Sequence, residues 1–425
     1  MARILIDGGR PLRGTVSIGG AKNSALPIMA ATLLCDEPVT LQNVPHLNDI
    51  ATMEKVLQAL GARTSRTADG TMHVDCGAGV KEEAPYELVK TMRASFFVMG
   101  PLLGRLKKAR VPLPGGCAIG ARPVNIHLKG FEALGATVSI EGGCAVAVAD
   151  KLVGARIVLD FPSVGATENL MMAATFAEGV TRIENAAQEP EIDDLAGFLN
   201  SMGARIEGAG SPTIRIEGVR KLHSATYPVI PDRIDGGTFM VLGAMCGGPI
   251  TVQNVIPAHQ QAVIAKLREM GAVIDVDAAA RKVTVSCDGR LKPVELKTLP
   301  FPGFPTDMQA QFTAALCLAN GTSVISETVF ENRFMHVAEL SRMGANLTIR
   351  ERTVLINGVE RLSGAPVAAS DLRAGAALVL AGVMAEGRTE VSNVYHIDRG
   401  YEDLVGRVRS LGASIERVED NGNGK

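Results

Sequence analysis

The sequence predicts a mixed α/β protein of two domains, each assembled from three copies of one unit. Three observations predict it: a short phrase repeats six times, a pair of prolines interrupts the repeats halfway, and the composition supports a large core. The phrase is a helical stretch with Leu or Met, then Gly-Ala, then an alternating segment: LQALGARTS, FEALGATVSI, FLNSMGARIE, LREMGAVIDV, LSRMGANLTI and VRSLGASIE. Its glycines are Gly61, Gly135, Gly203, Gly271, Gly344 and Gly412, spaced 68–74 residues apart. A glycine there ends a helix in the left-handed conformation that other residues adopt only at a cost. The alternation that follows has the period of a half-buried strand.

A second helix precedes each phrase in most units, rich in Ala and Met and followed by a strand that ends near Asn-Val. Compare ALPIMAATLLCDEPVTLQNV, NLMMAATFAEGVTRIENA, FMVLGAMCGGPITVQNV, FTAALCLANGTSVISETV and AALVLAGVMAEGRTEVSNV. Read from the residues, each unit is helix, strand, helix and two strands. Small side chains let helices approach closely, so the Ala-rich helices belong in a crowded interior. The second unit departs most, carrying the Pro/Gly-rich VPLPGGCAIGARPVNIH, residues 111–127. The interruption at Tyr227–Asp232 divides six units into two sets of three. The last unit lacks the strands that the others gain from their successors. The N-terminal segment is therefore expected to complete the C-terminal domain, giving one domain at 22–230 and the other at 1–21 plus 231–425.

The chain has 425 residues, 46% hydrophobic and 21% charged, which excludes a disordered chain. A net charge of −2 with 4% aromatics and no Trp gives no footing for a nucleic-acid partner. No apolar run is long enough for a membrane span, and the start MARILIDGGRPLRG has no apolar core of a secretory signal. Seven cysteines without a Cys-x-x-Cys pair fit free thiols in a reducing, cytoplasmic setting. Cys35, Cys246 and Cys317 sit in apolar helical patterns and read as core. The histidines show no metal-ligand spacing, and neither a dinucleotide fingerprint nor a P-loop is present, so no metal and no cofactor are expected.

Polar residues recur where the first helix of a unit should begin: Lys22-Asn23-Ser24, Arg93, Thr167-Glu168, Asp232-Arg233, Asp307, and Asp371 with Arg373. Helix N-termini carry partial positive charge and free N–H groups. With Lys22, Arg93 and Arg122 they suit a ligand of several negative charges, though ordinary caps and solvated charges give the same pattern. Cys117 lies among three prolines and three glycines, five residues before Arg122. It reads either as a reactive thiol on a lid or as an inert turn residue. Asp307, after the rigid FPGFP, reads either as a helix cap or as a general base. Arg333 and Arg399 add two-pronged donors for phosphate or carboxylate.

GGAKNSALPI, MRASFFVMGPLLGR, PGGCAIGARPVN, PSVGATEN, EPEIDDL, FPTDMQAQ, ETVFENRFMH, SDLRAGAALVLAG and IDRGYE span nearly the whole chain. With these segments the chain resembles the UDP-N-acetylglucosamine enolpyruvyl transferase family. The resemblance implies a two-domain inside-out α/β barrel of six βαβαββ repeat units, three per domain. It implies transfer of the enolpyruvyl group of phosphoenolpyruvate to the 3′-hydroxyl of UDP-N-acetylglucosamine, with release of phosphate. That is the first committed step of peptidoglycan precursor synthesis. By the same resemblance Cys117 is the acid and Asp307 the base, and Lys22, Arg122 and Arg399 hold phosphoenolpyruvate. Asn23, Asp371 and Arg373 complete the cleft. Arg93, Arg122, Pro123, Val124, Asn125, Ile126, Ser163, Val164 and Val329 lie along the UDP-sugar. No metal, membrane, nucleic acid or obligate protein partner is implied. Asn125 stands where the family often has Asp, and Phe161-Pro162 where it often has Lys-Val, which puts those nucleotide-sugar contacts in question. Cys117, where some members carry Asp and resist epoxides, implies alkylation by fosfomycin. The rivals are an enolpyruvyl transferase acting on shikimate 3-phosphate and an inactive paralogue that only binds the nucleotide sugar.

Overall fold

The structure, a computed structural model, describes residues 2–77, 79–90, 92–113 and 124–419. It is mixed α/β, with six sheets among the described residues. Five sheets share one plan. A short leading strand runs parallel to the strand that follows the first helix, and the last two strands of the repeat add antiparallel beyond it. In the third repeat, Arg156–Val158 leads Val180–Glu184, which pairs with Thr213–Glu217 and through it with Arg205–Glu207. The leading strand is only three residues long here and in the fifth repeat, Glu295–Lys297. Three residues cannot display an alternation, so the residues alone show no such strand.

The leading strand of the first repeat comes from far along the chain: Thr226–Pro228 runs parallel to Val39–Gln42. The N-terminal segment is divided between two sheets. Gly14–Ser17 leads the fourth repeat beside Ile250–Gln253, and Ala2–Asp7 lies antiparallel between Arg388–Ser392 and Ser414–Glu419. The second repeat keeps three strands, with a single bridge from Glu83 to Arg110 where its leading strand would be.

The chain divides into two compact units, one from the described residues of 20–230 and one from those of 1–19 and 231–425. Each has its own hydrophobic core. The Ala-rich helices are those cores: Lys22–Ala31, Val164–Ala174, Arg233–Cys246, Gln309–Leu316 and Leu372–Met384 are buried along nearly their whole length. Their neighbours come very close. A Cβ on Gly100 would stand 2.3 Å from the carbonyl oxygen of Asn169, so helix Met99–Leu106 meets Val164–Ala174 backbone to backbone. The six phrase glycines all adopt φ between 86° and 109°.

Some expectations are corrected. Thr167 and Glu168 do not begin a helix; Ser163 caps that helix, and both residues lie fully buried inside it. Cys35 and Cys317 are core, but Cys246 at the end of its helix is only half-buried. Ser414–Glu419 is a strand, and Arg417 pairs with Asp398 at 2.7 Å. No described helix is long and apolar enough to cross a membrane.

One device closes four of the sheets. Asn43, Asn185, Asn254 and Asn393 each follow the second strand of a repeat at φ between 54° and 58°. Each amide donates to the carbonyl just past the leading strand, at Val229, Leu159, Ile18 and Ala369, over 2.7–3.4 Å. Asn tolerates the left-handed region and carries the donor, so both requirements fall on one residue type. Asn254→Ala loses both properties and is expected to cost about 1–3 kcal/mol, read as a lower urea midpoint. An unchanged midpoint would show the clasp to be dispensable.

Candidate active site

In the unit from residues 20–230, Lys22 is the first residue of helix Lys22–Ala31, behind Ala21, which offers no side-chain cap. A cation at a helix N-terminus opposes the helix dipole. This one is also buried, 9% exposed, beside Asp49, 4% exposed, at 3.2 Å. Asp49 comes from the next helix, Asn48–Ala59. Two unfavourable placements at one point mark Lys22 as kept for something other than stability. One residue on, Asn23 is half-buried. Ser24 donates to Asp194, which also accepts from Tyr227 at 2.8 Å and from the Ile230 amide at 3.3 Å. Burial pushes the Asp194 carboxyl up even so, against those three hydrogen bonds.

Glu168 carries a harder constraint. It is 0% exposed, and neither carboxyl oxygen has a hydrogen-bond partner. Burial, with Glu191 and Glu189 near, pushes its pKa well above the usual carboxylate value. Arg93 opens the 3₁₀ turn Arg93–Val98 and is half-buried. His127 packs edge-on to Phe96 at 5.3 Å and receives a hydrogen bond from the Asn169 amide at 3.0 Å. Burial and then the Arg93 charge push His127 down to about 3.

The stretch assigned to the nucleotide sugar is partly in view. Val124 precedes helix Asn125–Ala133, whose first residue, Asn125, is exposed, and Val124 and Ile126 are half-buried. Ser163 caps helix Val164–Ala174, its hydroxyl accepting from the Ala166 amide at 3.4 Å. Phe161 is exposed, and Pro162, Ser163 and Val164 are half-buried. Cys117, Arg122 and Pro123 lie outside the described residues.

In the other unit, Asp307 sits in the turn Thr306–Met308, just before helix Gln309–Leu316. Its Oδ1 pairs with Arg333 at 2.7 Å, and its Oδ2 accepts from Arg373 Nη2 at 3.0 Å and Nε at 3.3 Å. Both guanidiniums are buried, Arg373 to 2% exposure. Asp371 caps helix Leu372–Met384 by accepting from the Arg373 and Ala374 amides, which fixes the turn that aims Arg373. Arg373 also lies over the Tyr401 ring at 5.3 Å, and Tyr401 is tied to Gln311 at 3.1 Å and Thr238 at 3.0 Å. Burial alone would lower the Arg373 pKa, but the charges of Tyr401, Asp307 and Asp232 reverse that and raise it. Arg399 ends the turn Val394–Arg399 and is half-buried, and its charge adds to burial in pushing His396 down. Val329 is half-buried, its amide donating to Glu327 at 2.8 Å.

Two guanidiniums share this one carboxylate, and the Asp232 charge also acts on Arg373, in a low-dielectric setting where charge acts over longer range than in water. Arg333 stands out in the sequence as a two-pronged donor but not as the partner of Asp307; the contact spans 26 residues and two elements. Asp49, 27 residues from Lys22, left no sequence signal at all. Among the described residues no cluster of His, Cys, Asp and Glu could hold a metal. A separate cavity of about 620 Å³, lined by Gly104, Arg105, Lys107, Phe176 and their neighbours, contains none of these groups.

Fold and charge layout thus describe a two-unit α/β protein with cationic anchors at helix starts, and comparison with known proteins gives its class. The EPSP synthase (3-phosphoshikimate 1-carboxyvinyltransferase) family matches residues 6–408, and the chain belongs to this family of enolpyruvyl transferases. It is 56% identical over 416 residues to UDP-N-acetylglucosamine 1-carboxyvinyltransferase 1 of Caldanaerobacter subterraneus subsp. tengcongensis, covering 98% of this chain and 99% of the relative. It is 56% identical over 420 residues to UDP-N-acetylglucosamine 1-carboxyvinyltransferase 2 of Carboxydothermus hydrogenoformans, covering 99% and 100%. Among solved structures it is similar to the enolpyruvyl transferase NikO from Streptomyces tendae, with a TM-score of 0.88 at 27% identity over 98% of both chains. An EPSP synthase from Acinetobacter baumannii shares the fold, with a TM-score of 0.74 at 17% identity over 99% of this chain and all of that one.

The His127 placement has a consequence for stability. Its folded pKa lies below the unfolded value near 6.5, so the folded state binds fewer protons in between. Its contribution is complete above about pH 6.5 and is lost as pH falls toward 3. In His127→Gln, the stability gap to wild type should narrow as urea midpoints are taken from pH 7.5 down to 4.5; parallel curves would place the titration elsewhere.

Proposed function

We propose that this protein transfers the enolpyruvyl group of phosphoenolpyruvate to the 3′-hydroxyl of UDP-N-acetylglucosamine and releases phosphate. The observation that carries the reading is the 56% identity, over 98% of the chain, to a UDP-N-acetylglucosamine 1-carboxyvinyltransferase. The proposal extends to the setting: the first committed step of peptidoglycan precursor synthesis, in the cytoplasm. It extends to architecture as well, with lobes at 22–230 and at 1–21 plus 231–425, each an inside-out α/β barrel of three βαβαββ units.

The chemistry is addition followed by elimination. A proton is added to C3 of phosphoenolpyruvate, which makes C2 electrophilic. The acceptor hydroxyl oxygen bonds to C2 and gives its proton to a base. C3 then loses a proton, the C2–O bond to phosphate breaks, and a vinyl ether and inorganic phosphate remain. The proposal gives Cys117 the acid role and Asp307 the base role. Lys22, Arg122 and Arg399 hold the phosphate and carboxylate. Asn23, Asp371 and Arg373 support the reacting groups, and Arg93, Arg122–Ile126, Ser163, Val164 and Val329 bind the nucleotide sugar.

The pairing of Asp307 with Arg333 and Arg373 bears on its role. Arg333 and Arg373 between them hold both carboxylate oxygens, so the side chain has a fixed direction. Asp307→Ala is expected to lower kcat about 100-fold or more while KM for the nucleotide sugar moves only a few-fold. A loss confined to KM would make Asp307 a binding group.

The reaction is tested by phosphate release from phosphoenolpyruvate with each acceptor in turn. Release with UDP-N-acetylglucosamine alone is expected. Release with shikimate 3-phosphate would move the protein to the other acceptor, and silence with both would make it a binding protein. In the same assay Cys117→Ser should lose most product release yet still bind the nucleotide sugar, and fosfomycin should add once, at Cys117. Full activity of Cys117→Ser at neutral pH would remove the acid role.

A further inference from the structure

The asparagine clasp recurs in the first, third, fourth and sixth repeats and is missing in the fifth, where Glu327 takes its place. The strand Thr322–Ser326 leads directly into Glu327, as Ile250–Gln253 leads into Asn254. Glu327 is absent from the residues with left-handed backbone, so the clasp is abandoned in geometry as well as in residue type. In its place stands a carboxylate only 1% exposed.

The hydrogen bonds reverse with it. Each asparagine donates to a carbonyl, whereas Glu327 only accepts. Its Oε1 takes the Thr298 hydroxyl at 2.9 Å and the Val329 and Phe330 amides at 2.8 and 3.1 Å. Its Oε2 takes the Thr306 hydroxyl at 2.8 Å. The last bond has one possible direction. Thr306 Oγ1 accepts from Arg333 Nη1 at 2.8 Å, and a guanidinium can only donate, so the hydroxyl proton of Thr306 is free to point at Glu327. Arg333 then spends its other nitrogen, Nη2, on Asp307 at 2.7 Å. The result is a connected chain in which Arg333 donates both to Asp307 and to Thr306, and Thr306 donates on to Glu327. A clasp served the other sheets well enough, so burying a carboxylate here needs a reason beyond closing the sheet.

We infer that Glu327 is a positioning residue for the transfer reaction: through Thr306 and Arg333 it sets the orientation of Asp307, and through the Val329 amide the adjoining main chain. The inference rests on the proposed function, since it concerns where Asp307 is held for that chemistry. Glutamine in its place puts an NH2 group among four donors, and the Thr306 hydroxyl can no longer be satisfied in the same direction. Arg333 then loses its fixed partner while Asp307 itself is untouched.

The test compares wild type, Glu327→Gln, Thr306→Val and the double variant, in full chains, by phosphate release with phosphoenolpyruvate and UDP-N-acetylglucosamine and by thermal unfolding. The chain of bonds predicts that Glu327→Gln and Thr306→Val each lower kcat about 10- to 100-fold, with KM for phosphoenolpyruvate held within a few-fold. The double variant should fall no further than the worse single one, because both changes cut the same relay. A purely structural role would instead lower the melting temperature and leave kcat of the remaining folded protein intact. Wild-type kcat in Glu327→Gln, or multiplying losses, overturns the inference. Should Glu327→Gln not fold, Thr306→Val decides alone, and an undiminished kcat there overturns it. A silent wild type sinks the proposed function and this inference together; an active wild type beside an undiminished Glu327→Gln sinks only this one.

Discussion

A single carboxylate held by two buried guanidiniums organises one unit of this protein. Asp307 lies ahead of one central helix, Arg373 in the first turn of another, and Arg333 in the segment after a strand of the fifth repeat. Asp307 and Arg373 are delivered by the same part of successive repeats, and Arg333 by the segment between a strand and the next helix. Removing the carboxylate would strand two buried cations, and removing either cation would leave the carboxylate free to turn. The pairing therefore fixes geometry first and stability second, since burying ions seldom repays their desolvation.

The other unit shows the same logic with the signs exchanged. Lys22 sits at the wrong end of a helix for a cation and is buried with Asp49. Glu168 is buried with no hydrogen-bond partner and its pKa is pushed well up, while His127 is kept neutral. Lys22 carries a role in the proposed reaction.

The repeat was legible because it is written in residues with few alternatives. Only glycine adopts φ near 100° cheaply, so six Gly-Ala phrases mark six helix ends directly. Ala-rich helices advertised their burial in the same way. The three-residue leading strands were not legible, being shorter than any period. Thr167-Glu168 was misplaced because the cap that starts the helix, Ser163, stands four residues before Thr167. Lys22, Asp307, Asp371 and Arg373 could be picked out as charges at helix starts. Asp49 could not, and Arg333 could be picked out only as a two-pronged donor without its partner, because both pairings depend on packing between elements some 26 or 27 residues apart. Glu327 did leave a trace, as the one repeat whose Asn-Val became Glu-Thr, but its meaning needed the hydrogen bonds of the other four.

The account holds that C3 of phosphoenolpyruvate gains a proton before phosphate leaves, with cations placed to bear the charge that follows. Running the reaction in D2O and reading the product by proton NMR tests this most directly. Addition and elimination pass C3 through a methyl group, so deuterium is predicted at the vinyl carbon of the transferred group. A product whose vinyl protons all come from the starting phosphoenolpyruvate would contradict it.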